Sequence, residues 1–241
     1  MFTKLCTAQE AAALVKDNEF LVCGGNMNSC LAEEICIALE ERFKAEGHPQ
    51  NMTIMSGSGV GDMGPVGGVE RGFEHFAHEG MIKRVIVGHN GSNHTIMQMQ
   101  QDLKVESYNF PQGVIEHMFR SRAKGLDVEL SRVGIGTFVD PRVEGGKCNA
   151  ITKEELVEVV EIGGTEYLAY KTPKIDVALI RGTTADEDGN LTCDDEAVLT
   201  NLQAIAMATK ARGGIVLSQV KNNVRRGGLP ATPVLLPGVF L

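Results

Sequence analysis

Residues 59 to 64 read Gly59-Val-Gly61-Asp-Met-Gly64, a G-x-G-x-x-G pattern that lets a backbone approach a pyrophosphate. Such a pattern holds a dinucleotide only where a strand feeds a helix whose N-terminus faces the phosphates. Met52-Thr-Ile-Met55 supplies the strand, but Pro65 and Gly67-Gly68 disfavour the helix. The next strand, Arg84-Val-Ile-Val87, ends in Gly88-His89-Asn90, so no acid stands at its tip to hold a ribose. The pattern predicts a loop and no dinucleotide. Metal chemistry finds equally little support. His75 and His78 are three apart, which could hold an ion, yet helix packing with a solvent-facing imidazole is the expectation. His89 and His94 flank Asn90-Gly-Ser-Asn93 and read as loop polarity rather than a substrate contact. Asp186-Glu-Asp-Gly-Asn190 lacks the spacing and bidentate glutamate of a calcium loop and reads as a turn between strand and helix. No metal and no bound cofactor are expected.

The six cysteines, at 6, 23, 30, 36, 148 and 193, form no C-x-x-C pair, so buried reduced thiols are expected, with Cys30 and Cys36 on a helix. The formal net charge of -8 and the scattered basic residues, apart from Arg225-Arg226, argue against nucleic acid. No apolar run reaches the roughly 18 residues of a membrane span. The N-terminus, MFTKLCTAQE, lacks the apolar core of a secretory signal, so a cytoplasmic protein is expected.

The elements that must position any chemistry alternate. Thr7-x-x-Glu10 is a capping box for a first helix through Ala11-Ala-Ala-Leu-Val15. Phe20-Leu-Val-Cys23 reads as a buried strand running into Gly24-Gly25. Ser29 is placed to cap a helix from Cys30 to about Lys44, stopped by Gly47. Strands recur near 52–56, 83–88 and 105–110, with helical patterns over Phe73–Glu79, Thr95–Leu103 and Val114–Lys124. Residues 156–170 alternate at period two about Gly163-Gly164 and predict a β-hairpin. Val177-Ala-Leu-Ile180, a helix near 195–210 and Gly214-Ile-Val-Leu217 resume the rhythm. The expectation is one domain over residues 1–241, an open, mostly parallel sheet with helices on both faces and a hairpin excursion.

Ligands of such sheets sit beyond the carboxyl ends of the strands. Those segments read Gly24-Gly25-Asn26, Ser56-Gly-Ser-Gly59, Gly88-His-Asn-Gly91, Asn109-Phe-Pro-Gln112-Gly113 and Arg181-Gly-Thr-Thr184. They are small and polar, which suits binding a phosphate-bearing or carboxylate ligand better than a self-sufficient acid/base site.

With these segments, the chain resembles class I coenzyme A transferases, and in particular the first half of single-chain propionate or acetate CoA-transferases. The resemblance is carried by EHFAHEGMIKRVIVGH, ESYNFPQG, VGIGTFVDPR, GGKCNAITKEELVEVVEIGGTEYLAY, VALIRGTTADEDGNLT and RGGIVLSQV. It implies a CoA-transferase α-type domain and a ping-pong reaction with coenzyme A as a substrate. A glutamate attacks an acyl-CoA thioester and a glutamyl-CoA thioester follows. It places Gln112 at the thioester as an oxyanion donor, with Gly24, Gly25, Asn26 and Gly113 around the substrate. Gly134 and Gly136 either let a backbone approach the acyl group or serve turn geometry.

The family's nucleophile lies in the second half, on a Glu-x-Gly turn. Glu46, Glu79 and Glu144 precede glycines here, but none follows an apolar strand. The chain is therefore expected to be an α-type subunit, or a chain cut before the nucleophile. It is expected to be inactive alone and to associate with a β-type half that carries the glutamate. Its Gly24-Gly25-Asn26 departs from the family's Gly-Gly-Phe, and Cys30-Leu31-Ala32 replaces a Gly-x-Pro. These departures bear on acyl specificity rather than on the fold. Two alternatives remain at this point: a sugar-phosphate isomerase or sensor of similar fold, and a non-catalytic acyl-CoA-binding or scaffolding protein.

Overall fold

The computed structural model describes residues 4–61, 70–229 and 234–241. Gly64, Pro65 and the Gly67-Gly68 pair lie outside the described residues. The chain opens with α1 (Ala8–Ala12), where Thr7 Oγ1 accepts from Glu10 N and the Glu10 carboxylate accepts from Thr7 N. It continues through β1 (Phe20–Cys23), α2 (Glu33–Glu46), β2 (Met52–Ser56), β3 (Ile82–Val87), α3 (His94–Gln101), β4 (Glu106–Asn109) and α4 (Gln112–Ala123). A short 3-10 helix, Gly72–Phe76, precedes β3. After an excursion through β5 (Val128–Ser131), β6 (Val157–Ile162) and β7 (Thr165–Lys171), it returns as β8 (Val177–Asp186), β9 (Leu191–Thr192), α5 (Leu202–Lys210) and β10 (Ile215–Val224).

The main sheet runs β10-β8-β1-β2-β3-β4, all parallel, with β9 antiparallel on β8. Its central stretches, β1, β2 and Val177–Ile180 of β8, are buried almost throughout because both faces are covered. Leu21, Cys23, Ile54, Val85, Val87, Val177 and Leu179 face the core under α1, α2 and α3. Val22, Met55, Ile86, Ala178 and Ile180, the intervening residues, face a second core under α4, α5 and the small sheet. The excursion forms a separate antiparallel sheet, β5-β7-β6. Its β6–β7 turn is Gly163-Gly164, at φ 59° and 77°, a conformation that glycine alone adopts cheaply. The place where the chain leaves and returns is tied: Thr172 N donates to the Asp127 carbonyl at 2.9 Å and Thr172 Oγ1 to the Leu126 carbonyl at 2.8 Å. The Arg122 guanidinium joins both sides through Asp127 and the Thr172 carbonyl. No helix among the described residues is long and apolar enough to cross a membrane.

Several expectations need correction. Ser29 does not cap α2, and Cys30 is not helical. Asn26 and Ser29 instead exchange backbone hydrogen bonds, and Met27 and Cys30 stand at φ 50° and 61°, so the helix waits until Glu33. Arg181-Gly-Thr-Thr184 is not a loop, because β8 runs on to Asp186 against β10. The last helix begins only at Leu202. Asp186-Glu-Asp-Gly-Asn190 turns between β8 and β9, not into a helix. The Asp186 carboxylate spends its acceptors on Asp188 N, Asn190 N and Asn190 Nδ2.

His75 is not solvent-facing either. It is buried beside Glu40 of α2, with Nδ1 2.7 Å from Glu40 Oε2 and Nε2 3.2 Å from Glu33 Oε1. His78 Nε2 lies 2.7 Å and the Lys44 ammonium 2.6 Å from Glu40 Oε1. Glu40, Glu70 and His75 offer donor atoms near enough to share an ion. Lys44 already neutralises Glu40, however, and an imidazole with a carboxylate at each nitrogen is placed as an imidazolium. Burial opposes charge on His75, but its bonds to Glu33 and Glu40 prevail and raise its pKa. Burial likewise opposes charge on Glu40, and the Lys44, His75 and His78 bonds outweigh it and hold the carboxyl at about 2.

The raised His75 contributes stability in full below the ordinary imidazole value of about 6.5, and this is lost as pH rises through the folded value. The depressed Glu40 contributes above about 4.3, and this is lost only as pH falls towards 2. His75→Gln is expected to cost about 2 kcal/mol at pH 6 and to flatten the alkaline fall of the thermal midpoint. Melting curves for both proteins between pH 5 and 9 test this. An unchanged alkaline limb in the variant refutes the assignment.

Candidate active site

The tips of β1, β2 and β3 and the first turns of α4 and α5 converge, and glycines let them. Gly24 and Gly25 follow β1; a side chain at Gly24 would meet Leu202 Cδ2 at 2.8 Å, and Gly25 N donates to Thr200 Oγ1 at 3.4 Å. Both contacts bring the β1 loop against the start of α5. Asn26 Oδ1 accepts from Ser58 Oγ at 3.2 Å, which joins that loop to the tip of β2. Gly59 and Gly61 are held by Met27, whose N donates to the Gly59 carbonyl at 3.2 Å and whose carbonyl accepts from Gly61 N at 3.1 Å. The two described glycines that begin the G-x-G-x-x-G pattern thus form a bridge between two loops, and no helix starts at them.

Gln112 is the first residue of α4, not a turn residue. Pro111, at φ -55° and ψ 126°, brings the chain into the helix. At Gly88, the tip of β3, an added Cβ would lie 2.9 Å from both Cα and Cβ of Gln112. The Gln112 side chain is exposed, and its amide makes no hydrogen bond among the described residues. Gly113 is exposed beside it, and a Cβ there would meet nothing within 4 Å. One turn along α4, on the same helix face, stands Glu116. Its carboxylate lies against the Cα of Gly57 at the tip of β2, where an added Cβ would collide with it. Asn201, which precedes α5, donates through Nδ2 to Glu116 Oε2 and accepts from Arg120 at 2.9 Å. Burial raises the pKa of Glu116, opposed by the Asn201 hydrogen bond and by Arg120 and His117 nearby.

Gly24, Gly25, Asn26 and Gln112 are therefore linked through a ring of contacts: Thr200, Asn201, Glu116, Gly57 and Gly88. Gly134 and Gly136 belong elsewhere. Gly134 packs on the Tyr170 hydroxyl and Leu168 of the small sheet, and Gly136 N donates to Asp140 Oδ2 at 2.9 Å. Those contacts are those of a turn at φ 102° and 73°. Gly57 and Gly88 lie in strand-tip segments that the sequence marks, but Glu116 and Asn201 escaped it, Glu116 because α4 was expected to begin at Val114. Starting the helix at Gln112 puts Gln112 and Glu116 four apart on one face, which is the signal that was available.

The site has little acid/base capacity. Arg181 is committed to Glu196 at 3.3 Å and to the Leu31 carbonyl at 3.4 Å, so the cation that an isomerase reading would use is engaged. Burial and Glu196 push the Cys30 thiol up to about 12, which removes it as a thiolate nucleophile at neutral pH. A groove lined by Phe20, Thr53, Arg84 and Lys171 lies at the opposite, amino-terminal ends of the strands, where Arg84 is tied to Glu106 and Glu154.

Residues 6–241 match the family model described as Coenzyme A transferase. The caffeate CoA-transferase of Acetobacterium woodii is 39% identical over 238 residues, covering 99% of this chain and 44% of that protein. The acetate CoA-transferase subunit alpha of Escherichia coli (strain K12) is 26% identical over 245 residues, covering 100% of this chain and 96% of that subunit. In structure, the chain is similar to the acyl-CoA transferase YdiF of E. coli O157:H7, solved as a thioester complex with CoA. The TM-score is 0.94 at 36% identity, covering 100% of this chain and 46% of that one. The chain thus spans less than half the length of that curated caffeate enzyme. On the breadth of these matches, the chain belongs to the coenzyme A transferase family and corresponds to its α-like half.

Proposed function

We propose that this chain is the α half of an acyl-CoA:carboxylate CoA-transferase. It moves CoA between a short-chain acyl-CoA and a carboxylate such as acetate, through a glutamyl-CoA thioester on a β-type half. The observation that carries the reading is the free amide of Gln112, exposed at the start of α4 among glycine-rich strand tips. The reaction needs such a group and no proton relay. The glutamate carboxylate adds to the thioester carbonyl, and the tetrahedral oxyanion expels CoA thiolate to leave a mixed anhydride. The thiolate then attacks the glutamyl carbonyl and releases the first carboxylate. Charge passes through an oxyanion at each step, and an N–H donor stabilises each. The near-complete coverage of an α subunit supports a partner on a separate chain. The 44% coverage of the caffeate enzyme equally suits a second half on the same chain. A cytoplasmic setting suits the six free cysteines.

Purified alone, the chain is expected to show no exchange between acetyl-CoA or propionyl-CoA and carboxylates. Mixed with the half that carries the glutamate, it is expected to assemble and turn over. Size-exclusion chromatography and an acyl-exchange assay read both outcomes. Turnover by the chain alone refutes the two-half reading. A complex that binds acyl-CoA without exchange establishes the scaffolding alternative instead.

A further inference from the structure

We propose that Glu116 is a positioning residue: its carboxylate clamps the tip of β2 to the first turns of α4 and α5 and so fixes where Gln112 stands. The proposal rests on the transferase reading of this site. Each contact in the clamp is direct. Glu116 Oε2 accepts from Asn201 Nδ2, and Asn201 Oδ1 accepts from Arg120 at 2.9 Å, so Asn201 is held from two positions of α4. Asn201 leads into α5, with its carbonyl accepting from Ile205 N at 2.9 Å, and Thr200 beside it receives Gly25 N. On the other side the carboxylate occupies the volume that a side chain at position 57 would fill. The absence of a Cβ at Gly57 is thus what admits Glu116, and Glu116 is what holds α4 at its distance from the β2 tip. Burial supports the arrangement, since a half-buried carboxylate needs its donors kept in place.

This geometry makes Gly57 and Glu116 one device, and a double-mutant cycle shows whether it is. In the assembled two-half enzyme, Glu116→Ala removes the carboxylate, and Gly57→Ala forces it off Asn201 by occupying its place. Each change is expected to lower kcat by about tenfold or more with KM for acyl-CoA nearly constant, because a misplacement of about 1 Å can cost up to a hundredfold. The double variant is expected to be no worse than Glu116→Ala, since the new methyl then enters vacated space. Glu116→Gln keeps an oxygen for Asn201 at the same reach and is expected to restore most of the rate; Glu116→Asp falls short and is expected not to. A role in stability alone predicts lowered thermal midpoints with kcat retained. That result, or additive losses in the double variant, overturns the proposal. Amide hydrogen exchange needs no turnover and separates this idea from the transferase reading. Faster exchange at residues 57–59 and 200–202 in Glu116→Ala, returned to normal in Glu116→Gln, is expected whatever the reaction proves to be. Unchanged exchange at both loops overturns the clamp even in an active enzyme.

Discussion

Gln112→Ala is expected to lower turnover of the assembled enzyme about a hundredfold while its thermal midpoint stays within a degree or so of the parent. The magnitude follows from the loss of one preorganised donor to an oxyanion, about 3 kcal/mol. The structure sharpens the case for small collateral damage. The side chain is exposed, bonds to no described residue and contributes only its Cβ to packing at Gly88. Alanine keeps that Cβ and is a better helix former than glutamine, so α4 should begin where it did. The amide has no hydrogen-bond partner among the described residues, so its removal leaves no described group unpaired. Turnover and midpoint measured on one preparation decide the matter. Near-normal turnover with a lowered midpoint would make Gln112 a residue of the fold and would remove it from the chemistry.

Gly88→Ala is expected to be the most damaging single methyl in the site. The added Cβ would overlap the carbonyl of Gly57 and stand 2.9 Å from Cα and Cβ of Gln112. These are backbone or near-backbone atoms that no rotamer change can clear, so β2 and α4 must part. Overpacking of this kind costs about 3 kcal/mol, and the midpoint should fall by roughly 6–12 °C for a chain of this size. Gly113→Ala serves as the control for stability, because its Cβ would meet nothing within 4 Å. If the two variants melt together, the packing of β3 on α4 is not as tight as these contacts require.

The sheet was legible because its signals are local or periodic. Unbroken apolar runs marked β1, β2 and β3, the Gly163-Gly164 pair marked the hairpin, and Thr7 with Glu10 marked α1. The misses share a cause, which is that tertiary contacts override local preference. Ser29 is a fine cap by composition, yet the exchange of hydrogen bonds between Asn26 and Ser29 takes the backbone elsewhere. Arg181–Thr184 looks like a loop until β10 pairs with it residue for residue. His75 has no sequence mark of burial, since only the fold brings Glu33 and Glu40 of α2 to it. At the site, the loop glycines were visible as a class, but not which backbone or carboxylate each one admits. Gly57 and Gly88 became informative only when Glu116 and Gln112 were seen against them.

The ties at Leu126, Asp127 and Thr172 also bear on how the gene can be rearranged. They hold the two ends of the β5–β7 excursion side by side, as in a stem that closes before the leaf. A tract whose ends are already adjacent costs the remainder little chain entropy to lengthen. Any replacement must still present the face that Val157, Leu168 and Tyr170 give to the second core, and the bond from Cys148 N to the Ser107 carbonyl of β4. Recombination between relatives should tolerate crossovers at 127 and 172 far better than crossovers inside the parallel sheet.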